Sequence, residues 1–184
     1  MNISTNFKLE TTRLIMRIPV LADVEVMFSA SRYKGFTDGM LWDPPNAKEE
    51  LIEPVKSTIA AWKNGEAYGF MIENKEGNAT IGRISIRPSK KPKRWNVGFW
   101  IHPEFQNKGY MKEALKSALE FGFTKLEAIA IEAEYAVWNK ASEKVLQNCG
   151  MQYESYKEKA FQKHGNWIAE NTAVITKAEW INKN

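Results

Sequence analysis

Cysteine is almost absent from this chain. Cys149 is the only one in 184 residues, which excludes a disulfide framework. Histidine is nearly as rare: His102 and His164 lie far apart, so no zinc set can be assembled from spacing and no metal is expected. No apolar run approaches the length of a membrane span, and no membrane partner is expected. The first residues, MNISTNFKLE, lack a basic stretch followed by an apolar one, so the expectation is a soluble, cytoplasmic protein without a secretion signal. Neither G-x-x-x-x-G-K-[ST] nor G-x-G-x-x-G after a strand occurs, so no nucleotide is held by those loops. Repeats, low-complexity tracts and linkers are missing too. Excess charge is modest, at net +4.

What is present reads as one folded domain, residues 1–184. Hydrophobic content of 43% and charged content of 26% suit a sizeable core. Alternation predicts a first strand over Thr12–Ile18, stopped by Pro19. Helical spacing follows over Asp23–Ser31 and Lys48–Lys63, the latter expected to kink or split at Pro54. Between them Tyr33–Asn46 is irregular and aromatic-rich, fit either to line a cleft or to seal the core. Strands are predicted at 68–74, 80–87 and 95–102, then a helix at 111–126, a strand at 127–136 with Ile129, Ile131 and Ala133 on one side, and a helix at 139–148. Gly150 follows that helix as its C′ residue, and two closing strands meet at His164-Gly165-Asn166. The expectation is an α/β mixed sheet of about seven strands with about four helices. Its front half is antiparallel, and the central strand-helix-strand unit implies a parallel pair.

The most informative stretch is FWIHPEFQNKGYMKEALKSA, Phe99 to Ala118. A strand ends at Pro103, a polar loop holds Gln106, Asn107, Lys108 and Gly109, and a helix begins with Leu115, Ala118, Leu119 and Phe123 on one stripe. Such a handover aims backbone N–H groups and a positive helix end at one point, a cradle for pyrophosphate, with Lys108 adding a full charge.

Gln106-Asn107-Lys108-Gly109-Tyr110-Met111 resembles the acetyl-coenzyme A loop of the GNAT N-acetyltransferase superfamily, Q/R-x-x-G-x-G/A, with Met111 departing from the last position. Asn139, Ser142, Leu146 and Gly150 resemble that family's second signature. TTRLIMR near the start and KAEW near the end resemble the branch of ribosomal-protein N-terminal acetyltransferases. The resemblance implies acetyl-coenzyme A as cosubstrate and a primary amine as acceptor, either a protein N-terminus or a small molecule. It implies two strands that splay apart, with the backbone of Phe99 and Ile101 meeting the pantetheine arm. The N–H of Ile101 would stabilise an oxyanion. Residues 106–111 and Asn139 would hold the cosubstrate, and Ser142 would do so while acting as acid.

The base is left open. Asn96 stands where related proteins often carry Glu, which leaves Glu134 or Glu132 acting through water, with His102 equally readable as a surface residue. Helix capping alone also accounts for Asn139 and Ser142. The departures at Asn96, Met111 and Leu146 keep a second reading alive, an acetyl-coenzyme A-binding module without catalysis. Lys90-Lys91-Pro92-Lys93-Arg94 reads as a solvated turn, with contact to RNA, the ribosome surface or the coenzyme A 3′-phosphate as alternatives. No aromatic nucleic-acid signature accompanies it, so nucleic acid is not an expected partner. Monomer and homodimer both stay open.

Overall fold

The computed structural model describes residues 3–183. Eight strands form one sheet: β1 (Lys8–Glu10), β2 (Leu14–Arg17), β3 (Tyr68–Asn74), β4 (Ala79–Pro88), β5 (Arg94–Ile101), β6 (Ala130–Ala136), β7 (Gln152–Lys163) and β8 (Asn166–Thr176). Their order is β1-β2-β3-β4-β5-β6-β8-β7. Every neighbouring pair is antiparallel except β5 and β6. Five helices accompany them: α1 (Val24–Ser31), α2 (Ile52–Lys63), α3 (Tyr110–Thr124), α4 (Lys140–Asn148) and α5 (Lys177–Lys183).

The expected mixed architecture holds, with eight strands in place of about seven and five helices in place of about four. The additions are β1 and α5, of three and seven residues, too short to show a period. Pro54 does not split a helix. A 3-10 turn at Lys48–Leu51 comes first, and Pro54 falls in the first turn of α2, where its missing N–H costs nothing. Ile129 lies before β6 and is exposed, so it does not share the buried side of Ile131 and Ala133.

Helix α3 covers one face. Its buried stripe of Met111, Ala114, Leu115, Ala118 and Leu119 packs with Ile84, Ile86, Val97 and Ile131. The approach is closest at Gly122, where a Cβ would sit 2.6 Å from Ile131 Cδ1 and 2.8 Å from Ile86 Cδ1. Helices α1 and α2 cover the other face through Val24, Met27 and Val55, with Leu51 of the preceding 3-10 turn, against Met71. Each such buried aliphatic side chain contributes ~1.5–3 kcal/mol. Among the described residues no helix is long and apolar enough to cross a membrane.

Candidate active site

The sheet splits at its parallel pair. β5 and β6 are in register only at Arg94↔Ala130, Trp95↔Ile131 and Asn96↔Glu132. β5 nevertheless continues to Ile101, and β6 continues to Ala136 while paired with β8 throughout. A gap therefore opens beyond Asn96. The N–H of His102 bonds the carbonyl of Ile81 on β4 at 2.8 Å. Because successive residues of a strand turn their amides to opposite sides, Ile101 and Phe99 direct theirs into the gap. The carbonyl of Ile101 accepts from Gln106 Nε2 at 3.2 Å, and the Ile101 side chain is buried.

At the open end of the gap, Asn107 (φ 60°) and Gly109 (φ 80°) both take left-handed backbone. That alternation curls the main chain so that successive N–H groups converge. Helix α3 then starts at Tyr110, and no side chain caps its N-terminus. Gln106 to Gly109 are exposed; Tyr110 and Met111 are buried. Tyr110 accepts a hydrogen bond from Asn74 Nδ2 at 3.3 Å, and the Arg13 guanidinium lies 4.7 Å from its ring centre. Met111 packs into the core, so its bulk is turned away from the loop.

Arg13 also donates to the Lys108 carbonyl (3.0 Å) and to Glu113 (2.7 Å). Burial acts to raise the Glu113 carboxyl. Hydrogen bonds from Thr11 and Arg13 outweigh it and hold the carboxyl below its ordinary range. The one acidic side chain in the first turn of α3 is thereby neutralised, which leaves the helix end attractive to an anion.

The face opposite α3 carries the titratable groups. Asn96, 4% exposed, donates through Nδ2 to the Glu134 carboxylate and, at 3.4 Å, to the Glu132 carbonyl. Its Oδ1 is buried with no partner among the described residues. Glu132 and Glu134 do not lie at a sheet edge, because β6 is interior. Glu132 is buried and bound by Ser89 and Arg94. Glu134 is the exposed one.

Glu170 on β8, half-buried and diagonal to Glu134 on this face, was not singled out from the sequence. Burial, then the charge of Glu134, pushes its carboxyl above the ordinary range, with Lys157 opposing. A lone Glu in a closing strand gives no pattern that would have found it.

Asn139 Oδ1 accepts from the N–H of Ser142 at 3.0 Å, capping α4. Ser142 is half-buried, and Leu146 is buried in the core. Over the gap, residues 33–46 form a bridge. Phe36 meets Trp100 of β5 edge-on at 5.6 Å, while Gly39 packs on Trp138 and Ala136 at the end of β6. Lys163 pins this segment through the carbonyls of Met40 (3.2 Å) and Trp42 (2.6 Å) and through Asp43 (2.7 Å).

His102 is buried rather than a surface residue. Its Nδ1 accepts from the Glu104 N–H, and Nε2 lies 3.1 Å from Ser29 Oγ. Lys91 and Arg94 of the basic cluster are occupied by Glu154, at 2.9 and 2.7 Å, which agrees with a structural turn.

A split parallel pair thus lies beside a helix end that no side chain caps among the described residues. The chain belongs to the GNAT acetyltransferase family: residues 13–152 match that family's acetyltransferase domain. It is an N-acetyltransferase. It is 26% identical over 170 residues to the uncharacterized N-acetyltransferase YnaD of Bacillus subtilis, covering 92% of this chain and 97% of that one. A GNAT-family acetyltransferase structure from Bacillus anthracis superposes with TM-score 0.84 at 21% identity, covering 94% and 99%. RimL, the ribosomal L7/L12 α-N-protein acetyltransferase solved with coenzyme A, superposes with TM-score 0.83 at 19% identity, covering 92% and 98%. These two structures establish shared fold.

Proposed function

We propose that the protein transfers an acetyl group from acetyl-coenzyme A to a primary amine, the whole chain acting as one such domain. The observation that carries this is the end of β5–β6 pairing at Asn96, with the Phe99 and Ile101 amides turned into the gap. Acetyl-coenzyme A supplies an activated thioester. The residues present fit it: unpaired strand amides suit the pantetheine arm, and the curled backbone at Gln106, Asn107, Lys108 and Gly109 with the first turn at Tyr110 and Met111 suits a diphosphate.

The N–H groups of Ile101 and Phe99 are oriented to donate to a carbonyl oxygen in the gap. Asn96 orients Glu134, and the Glu134–Glu170 pair takes the proton the amine must lose. Ser142 offers a hydroxyl that hydrogen-bonds the departing thiolate and relays a solvent proton to it, being reprotonated by that water in the same step, while Asn139 caps the start of α4. A protein N-terminus as acceptor is supported by the overall likeness to RimL. Mixing protein with acetyl-coenzyme A and two panels, N-terminal peptides and small amines, and following thiol release tests the reading. Absence of acetyl-coenzyme A binding by calorimetry overturns it, and binding without turnover points to the non-catalytic module.

A further inference from the structure

The segment TTRLIMR places Thr11 and Arg13 in the turn between β1 and β2. That turn is closed on itself. The Thr11 N–H bonds the Leu14 carbonyl, and the Leu14 N–H bonds Thr11 Oγ1, both at 3.0 Å. It is then fastened to the first turn of α3, 100 residues on. The Glu113 carboxylate accepts from Thr11 Oγ1 at 2.5 Å, from the Arg13 N–H at 2.9 Å and from Arg13 Nε at 2.7 Å.

From that anchor the Arg13 guanidinium reaches the loop at 106–111. Nη1 donates to the Lys108 carbonyl at 3.0 Å. Nη2 lies 3.4 Å from where a Cβ on Gly109 would stand, and the guanidinium carbon lies 4.7 Å from the centre of the Tyr110 ring. Three successive residues thus rest on one planar group. In a curl whose N–H groups converge inward, a carbonyl points outward. Arg13 therefore stands behind the curl, and the converging N–H groups stay free for an anion.

The curl has little other support. Asn107 holds left-handed backbone despite carrying a side chain, and no side chain caps α3. Among the described residues no side chain but Arg13 hydrogen-bonds the main chain of residues 107–109. A loop that had to curl only when the diphosphate arrived would lose affinity to its own ordering. The planar fork of Arg donates to Glu113 and Lys108 at once, which a Lys ammonium at the end of a flexible stem does less well.

We propose that Arg13 is a positioning residue for the cosubstrate: it holds residues 107–110 curled in advance and so sets the preference for a diphosphate-bearing thioester over a short one. This rests on the acetyl-transfer reading and adds to it a task for the β1–β2 turn.

The test compares coenzyme A, measured by calorimetry, with pantetheine, which has the same arm and no phosphate, measured by ligand-observed nuclear magnetic resonance. The Arg13 side chain is 44% exposed, so R13M is expected to keep the fold, checked by its far-ultraviolet spectrum. R13M is expected to bind coenzyme A about tenfold or more weakly and pantetheine as the wild type does. R13K is expected to fall between, and it carries the same comparison should R13M fail to fold. The double variant R13M/E113Q is expected to stay as weak as R13M, because the tie to the Lys108 carbonyl is still missing. Recovery of coenzyme A affinity in the double variant would mean that Arg13 only cancels the charge of Glu113, and overturns the proposal. Wild-type coenzyme A affinity in the single variants overturns it too, as do equal losses for coenzyme A and pantetheine, the mark of a merely structural role. A wild type that binds no coenzyme A overturns the acetyl-transfer reading, and this proposal with it.

Discussion

Asn96 is the last residue of β5 in register with β6, and its side-chain amide donates to the carboxylate of Glu134, two residues beyond the last paired position of β6. One side chain thus marks the point where the sheet divides and ties the two arms together. A neutral amide cannot accept the proton of an amine. It can fix a neighbouring carboxylate that does, so the departure from Glu at this position relocates the base and does not abolish it. N96A is expected to lower kcat by roughly 10- to 100-fold through misplacement of Glu134, with coenzyme A affinity unchanged. N96D puts a like charge against Glu134, disfavours its ionised form and moves the acid limb of the kcat/KM profile to higher pH. A pH–rate series on both variants checks this; an unmoved limb in N96D rules out Glu134 as part of the base.

Glu170 is predicted to trade stability for function. Its carboxyl titrates above the ordinary value of 4.5 because burial, and then Glu134, disfavour the charge. Its contribution to folding is therefore fully present below pH 4.5 and is lost as pH rises through the elevated value. E170Q, neutral throughout, is expected to melt above the wild type at pH 7 and level with it near pH 4. The same variant is expected to lose about 10²-fold or more in kcat near neutrality. It should recover partly above about pH 8, where an α-amino acceptor sheds its own proton. Thermal melts and rates over that range measure both effects, and an E170Q enzyme with full activity at pH 7 removes Glu170 from the mechanism.

The loop and the second signature were legible in the sequence because their chemistry is local. A polar turn with Gly109, a cap at Asn139 and a C′ glycine at Gly150 act over a few residues, and each appears where spacing put it. The gap was expected from family resemblance alone, since the end of a strand pairing depends on register between residues some 36 apart in sequence. Glu170 and the Asn96–Glu134 contact were hidden for that reason. Met111 is a different case. It lies four residues before Leu115, on the same helical stripe, so periodicity already turned it inward while motif matching drew attention to the loop.

That difference can be measured. M111A restores the residue type the loop motif favours, yet it removes a buried side chain, and it is expected to cost about 2–5 kcal/mol in stability with no gain in coenzyme A affinity. G109A is the counterpart. Its φ of 80° strains any side chain by about 1–2 kcal/mol, and loosening the curl is expected to weaken coenzyme A binding. Denaturant unfolding and calorimetry on the two variants separate the effects, and tighter coenzyme A binding by M111A contradicts the inward placement.

Lys163 holds the bridge over the gap from a strand far along the chain. Its ammonium is buried at the end of β7, yet all three partners lie between residues 40 and 43. The Asp43 carboxylate is exposed, and the hydrogen bond from Lys163 holds it below the ordinary carboxylate range. K163M keeps the apolar stem and removes every polar tie. Because Asp43 faces water, its half of the ion pair contributes little to global stability. The effect is therefore expected to be local. Chymotrypsin should cut faster at Phe36, Leu41 or Trp42, and KM for the acceptor should rise several-fold. Coenzyme A affinity and the far-ultraviolet spectrum should stay the same. Unchanged cleavage and unchanged KM together would mean that residues 33–46 hold their place through Phe36 and Gly39 alone, with the lysine adding nothing.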